Sequence, residues 1–394
     1  MGTVINPLWF EELKKPMFDR INSWQPLPFD QPADTTGYIS CHHNDYLRLS
    51  QHPEVIEERV KATKDTGYGV MASVVYGGEH GYHMKFKQAI AHSCKAKGPE
   101  SVLLTTCGWT ANVGLMEAIV KEDTPVYLDV NAHASLWDGA RFSGGKLIPV
   151  KHNSPETMRK LVKVIGPGVI CIDGYYSTHG SVATVKDYAD IAEEFDCLLL
   201  VDEAHSFGMI GENGGGCAVD EGVEDKVHFR TVSIAKALGG NGGFIVTDPD
   251  TAEFLMFSTR SIIFSTNVAP PTSAGNWKAL QILMREPQRA AHAQKMAAYL
   301  RELLNKAGYS TGPSQCQIVS LMFKGEETAI KLYGKLKSKG VLFSVFLYPA
   351  IPKDTSLARF SVYSEITPRE IEIVAQTTIE TLKQMGVHET QFRL

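Results

Sequence analysis

The 394-residue chain has no apolar run long enough to span a bilayer, no surplus of positive charge and no CxxC spacing. Each lack removes a class of function. Lys and Arg number 39 against 44 acidic residues, a formal net charge of −5, so neither nucleic acid nor an anionic membrane surface is expected as a partner. The seven cysteines, Cys41, Cys94, Cys107, Cys171, Cys197, Cys217 and Cys316, are scattered and odd in number. Scattered thiols predict a reducing, cytoplasmic setting rather than disulfides or zinc. The start, MGTVINPLWFEELKKP, lacks the basic-then-apolar order of a secretory signal. Asn6 stands where a myristoylation site needs Ser or Thr. Internal repeats and low-complexity tracts are absent as well.

What is present has the make-up of an ordinary globular protein: 43% hydrophobic and 21% charged residues. The length exceeds what one hydrophobic core usually serves, which predicts two domains or one large α/β domain. The Pro-rich first forty residues suggest an arm with one short helix over 9–18. From residue 101 to 246, short apolar runs (SVLLT, PVYLDV, KLIPV, GVICID, CLLLVD, FRTVSIA, GGFIVT) alternate with helical stretches at 109–120, 155–164 and 184–195. Near-continuous apolar strands joined by crossover helices predict a mostly parallel sheet covered on both faces. Ligands of such sheets sit at the carboxyl ends of the strands.

Beyond Pro270-Pro271 one long helix is expected over 274–307. Strand QIVSLMF, helix 326–338, strands VLFSVF and ARFSVY, and helix 368–385 then follow. This tail predicts a smaller α+β domain. The resulting division is an N-terminal segment 1–50, a large domain 51–285 and a C-terminal domain 286–394.

The chemistry starts at CLLLVDEAHSFG, where an apolar strand delivers Asp202 to its carboxyl end with His205 three residues on. An acid at a strand tip is often a helix N-cap. A nucleotide-binding acid would need a G-x-x-x-x-G-K-[ST] loop upstream; the nearest approach, GARFSGGKL, has Leu147 where Ser or Thr should follow Lys146. A third reading joins Asp202 to Lys236 in TVSIAKALGG. Ile234, Ala235, Ala237 and Leu238 surround that lysine with apolar side chains. Such a setting lowers an amine pKa, as Schiff-base chemistry requires. A carboxylate such as Asp202 would hold a pyridine nitrogen protonated and make the ring an electron sink. His205 would then bond a ring phenolate oxygen.

Two further segments suit the same cofactor. In TTCGWTANVGL a strand runs through Cys107, Gly108 and Trp109 into a helix, whose N-terminal N–H groups form an anion site. In DVNAHASLWDGAR, His133 follows a strand and could stack on a pyridine ring. Seen singly, the first is as readily an ordinary strand-to-helix turn, and the second is more often a structural histidine.

Together these segments resemble the α-oxoamine synthases, a family of fold-type I enzymes dependent on pyridoxal 5′-phosphate (PLP). The resemblance also takes in NDYLRLSQHP from Asn44, YGGEHGYHMKF from Tyr76, FSTNVAPP from Phe264 and LARFSVYSEIT from Leu357. It implies that Lys236 carries the cofactor and shuttles the α-proton, Asp202 pairs with the pyridine nitrogen and His205 with the phenolate oxygen. His133 would stack on the ring, with Ser177 of DGYYSTHG beside it. Cys107, Gly108, Trp109 and the Ser233 hydroxyl would hold the phosphate. Thr266 would reach it from the other subunit of an obligate homodimer with shared active sites.

Asn44 and Arg359 would bind the amino-acid substrate, Arg359 as a carboxylate fork. The implied reaction is decarboxylative condensation of an amino acid with acyl-CoA to an aminoketone. Within the family, GWTANVGL and HASLWDGAR are most similar to the synthases of α-hydroxyketone and aminoketone autoinducers used in quorum sensing. The chain departs from several members at LYPAIP, which has Tyr348 in place of Arg, and in its bulky Trp109 and Trp137.

Overall fold

The computed structural model describes residues 7–24, 34–70 and 72–392; the remainder of the N-terminal stretch read as an arm lies outside them. Eleven strands run in the order β1 (Ile39–Cys41), β2 (Val102–Thr105), β3 (Pro125–Asp129), β4 (Lys146–Val150), β5 (Val169–Asp173), β6 (Leu198–Asp202), β7 (Phe229–Ser233), β8 (Gly243–Val246), β9 (Ile318–Lys324), β10 (Val341–Phe346) and β11 (Thr355–Ser361).

Seven of them form one sheet in the order β2-β8-β7-β6-β5-β3-β4. Only β8 runs against its neighbours β2 and β7; the other pairings are parallel. β2 therefore shares its direction with the parallel strands, and the segments that follow β2, β3, β5, β6 and β7 emerge at one edge. All five residues of β5 are buried, as helices on both faces of a parallel sheet demand. The mostly parallel sheet expected from the apolar runs is present, and the fold is that of a fold-type I PLP transferase.

The second sheet is β1-β10-β11-β9. β1 joins it in parallel to β10, and the other pairings are antiparallel. Its core gathers Leu300, Leu332, Tyr333, Phe343, Phe360 and Val374 from the strands and the helices Gln288–Lys306, Glu327–Lys337 and Pro368–Gln384.

Several helices differ from the expectations. The single helix over 274–307 is two, Pro270–Arg285 and Gln288–Lys306. Pro287 lacks an N–H and bars the helical conformation from its predecessor; Glu286 accordingly has φ −124° and ψ 58°. The N-terminal helix is longer than 9–18 and covers Leu8–Ser23. Helices Pro53–Thr66 and Gly81–Ser93 had no counterpart in the sequence reading; both pack on Pro270–Arg285. Among the described residues no helix is long and apolar enough to cross a membrane.

Candidate active site

The carboxyl edge of the seven-stranded sheet collects the polar groups. Asp202 ends β6 and is buried. Its Oδ1 accepts the Ala204 N–H at 2.9 Å and its Oδ2 accepts Asn112 Nδ2 at 2.7 Å. The neighbouring strand places Asp173 directly beside it. Burial, then the charge on Asp202, pushes the Asp173 carboxyl well above its ordinary range. Two carboxylates cannot both be charged cheaply in one buried spot. Asp173 is the carboxyl driven toward its neutral form.

Lys236 follows β7, with Ile234, Ala237 and Leu238 buried around it. Burial and the Arg359 charge bring its amine down to about 8, against a smaller opposing pull from Asp202. A substantial neutral fraction is therefore available near neutrality, as nucleophilic attack on an aldehyde requires. His205 is buried, its Nδ1 2.8 Å from Tyr46 Oη, and its carbonyl accepts Gln317 Nε2 at 2.8 Å. Burial and then the charges of Lys236, Arg359 and His133 hold its imidazole far below its ordinary pKa, hence neutral. Lys236, Arg359, His133 and His205 are therefore near enough to act on one another electrostatically.

An anion cradle lies at the end of β2. Cys107 stands at the N-cap of helix Gly108–Ile119, and the positive end of a helix, with its outward N–H groups, favours an anion there. A Cβ on Gly108 would come within 2.6 Å of Ser233 Cβ, and one on Gly243 within 2.6 Å of the Cys107 carbonyl carbon. Only glycine at both places lets Ser233 and the Cys107 turn meet. Thr266 is exposed and flanks Thr105 and Thr106 at the rim of this cradle. Trp109, 43% exposed, turns toward His133 edge to face, with ring centroids 6.1 Å apart. His133 caps the helix Ala134–Phe142, and its own N–H bonds Asp173 Oδ1 at 3.1 Å. Bulky Trp137 packs on the core of the large sheet. Tyr348 faces outward, its ring 5.5 Å from the Arg20 guanidinium.

The opposite side of the site comes from the small sheet. Arg359 on β11 is 4% exposed. Its Nη1 donates to the Ser177 carbonyl at 2.8 Å and its Nη2 to Asn44 Oδ1 at 2.9 Å. The Phe346 ring lies 4.7 Å from its Cζ. Its Nε is buried without a partner among the described residues. A buried guanidinium with an unmet donor suits an incoming carboxylate. Tyr46 closes the ring of contacts by donating to Asn44 Oδ1 at 3.2 Å.

The loop that carries Ser177 is fastened from below. Tyr176 Oη donates to Asp129 Oδ2 at 2.8 Å, and His152 bridges Asp129 and Ser181 at 2.9 Å on each side. Ser181, His152 and Asp129 have the order of a hydrolase triad, but Ser181 is only 2% exposed, so no substrate reaches it. The trio is a structural clasp.

The sequence-marked residues therefore come together: Lys236, Asp202, His205, His133, Ser177, Asn44 and Arg359 in one cluster, and Cys107, Gly108, Trp109 and Ser233 in the adjoining cradle. Tyr46, Asn112 and Asp173 were not singled out. A lone Asn among the apolar residues Ala111, Leu115 and Met116 was the available signal for Asn112. The set fits PLP: a cradle that only glycines permit, a buried carboxyl group at Asp202, and an amine brought down to about 8 near it.

The profile of the aminotransferase class I and II family matches residues 37–377. A serine palmitoyltransferase of Caulobacter vibrioides is 32% identical over 379 residues, 95% of this chain and 92% of the relative. A CAI-1 autoinducer synthase of Vibrio campbellii is 33% identical over 338 residues, 86% of this chain and 85% of the relative. Among solved structures, serine palmitoyltransferase from S. paucimobilis with a bound PLP–myriocin aldimine superposes with a TM-score of 0.87. It is 25% identical, and the match covers 96% of this chain and 98% of the other.

Proposed function

Since this chain belongs to the α-oxoamine synthases of the class I and II aminotransferase family and takes PLP as its cofactor, we propose that it condenses an amino acid with an acyl-CoA, with loss of carbon dioxide, to give an aminoketone. One observation carries the reading: an unmet buried donor on Arg359 close enough to Lys236 to depress its amine pKa. An α-amino acid carries a carboxylate and an amine on one carbon, the two groups such a pair would receive.

When bound, PLP supplies an aldehyde for the amino group and an electron-withdrawing ring for the carbanion. Lys236 holds the cofactor at Nζ, yields to the incoming amine and then, neutral, takes the α-proton. The Asp202 carboxylate balances positive charge on the ring nitrogen, which we take to be the largest electrostatic contribution. His205, kept neutral by burial, bonds the ring oxygen without adding charge. Arg359 and Asn44 orient the substrate carboxylate, and Ser177 and His133 flank the ring. Cys107, Gly108, Trp109 and Ser233 hold the phosphate. Thr266 is assigned to the partner's site in a homodimer; exposed Trp109 and Phe264 on the same side support a covered face. A cytoplasmic location and the division at 50/51 and 285/286 belong to the same reading.

We assign the product to the aminoketone autoinducers of cell–cell signalling, on the likeness to the V. campbellii synthase. The second reading is a sphingoid-type condensation with serine. The C. vibrioides palmitoyltransferase supports it at similar identity over a larger share of the chain. A matrix of acyl-CoAs against amino acids, scored for free thiol and carbon dioxide, separates the two by preferred chain length and donor. Formation of a 2-oxo acid without thiol release means a transaminase and sinks both.

A further inference from the structure

We propose that Asn112 is a positioning residue that fixes the ring proton of His133 on Nε2 while it holds Asp202, so that one amide governs the groups on both sides of the cofactor ring. The inference rests on the assignment of His133 and Asp202 given above. Asn112 is 2% exposed. Its Nδ2 lies 2.7 Å from Asp202 Oδ2 and 2.8 Å from Ser135 Oγ, and its Oδ1 lies 2.6 Å from Thr231 Oγ1.

The amide orientation follows from its partners. A flipped amide would set its carbonyl oxygen against a carboxylate oxygen, two acceptors face to face. The NH2 group is therefore the donor to Asp202 and to Ser135, and Thr231 donates to Oδ1. Ser135 Oγ thus accepts from Asn112 and keeps its own proton to give. His133 Nδ1 sits 2.7 Å away, and the Ser135 N–H points at the same nitrogen from 3.3 Å. Two donors converge on Nδ1, which must offer its lone pair. Whenever the ring carries a single proton, that proton is left on Nε2, which has no partner among the described residues and serves as a hydrogen-bond donor to an oxygen of the substrate. Orientation through a second residue sets the tautomer here as a carboxylate does in hydrolase triads.

The test uses the full-length apoprotein with ¹⁵N-ring-labelled histidine, the His133 signals assigned by their loss in His133→Gln. The wild type should show unprotonated Nδ1 and protonated Nε2. Asn112→Leu and Ser135→Ala should each move His133 toward a mixture of tautomers. If Asn112→Leu does not fold, Ser135→Ala alone decides. Protonated Nδ1 in the wild type, or an unchanged pattern in folded variants, overturns the proposal. In the cofactor-loaded enzyme, Ser135→Ala should lower kcat roughly tenfold or more with KM for the amino acid unchanged. A tautomer that shifts without any change in kcat upholds the relay and removes His133 from the reaction.

Discussion

The two halves of the site are built to opposite rules. On the large-sheet side the polar groups bond to one another: Asp202 takes two donors, and Asn112 links it to Ser135 and Thr231. On the small-sheet side Arg359 is buried as deeply yet keeps its Nε unmet. An unsatisfied buried donor costs on the order of 1–3 kcal/mol, more when charged. In the first half the buried side chains Asp202, Asn112, Ser135 and Thr231 are already paired with one another, which suits a resident cofactor. The second half carries a standing cost that a transient carboxylate relieves. Lys236 stands between them, its amine lowered by burial and then by Arg359, and raised by Asp202.

The sharpest way to break this contrast is to remove the group between the halves. Lys236→Ala should lower condensation by about 10³-fold or more while the large-sheet half still binds PLP. Borohydride followed by mass spectrometry should find cofactor fixed to the wild-type chain and none on the variant. A smaller loss is expected from Arg359→Lys, which replaces a fork by a point charge. Steady-state kinetics should show kcat/KM for the amino acid down by roughly 10–100-fold, with PLP affinity nearly unchanged. Loss of PLP from that variant would show that the halves are not separable.

The smallest effect concerns pH. The amine of Lys236, brought down to about 8, is protonated and inert below that value. The rate at which apoprotein takes up PLP should therefore rise through about pH 8 and level off above it, read by absorbance. Arg359→Gln removes the cation that pushes the amine down, so the midpoint should move upward. A downward move contradicts the arrangement.

The same contrast explains what the sequence disclosed. β5 and β6 were legible because burial on both faces writes a continuous apolar run. Helix Pro53–Thr66 was not, since Ala62 is its one buried residue and its apolar Ile56 and Val60 stand exposed among charged neighbours. The break at Pro287 was overridden in the reading by helix-forming residues on either side. The cofactor half lies in short segments, each with its own strand-end signal. Asn44 and Arg359 stand 315 residues apart, and no local pattern joins them; only the family likeness did. Asn112 stood out only as a lone amide among apolar neighbours, and nothing near it in sequence disclosed its partners Asp202 and Thr231, which come from two strands.

The placement of β1 reaches beyond catalysis to biogenesis. Its partner β10 pairs Ile39 with Val341, and Ser344 Oγ donates to the His42 carbonyl across 302 residues of chain. On the ribosome, the segment leading to Asn44 emerges early and has nowhere to dock until that distant strand is made. At ordinary elongation speeds the wait is on the order of 15–60 s, during which the nascent chain exposes an unpaired strand to chaperones. Any message truncated before codon 341 yields a product in which that segment never finds its place.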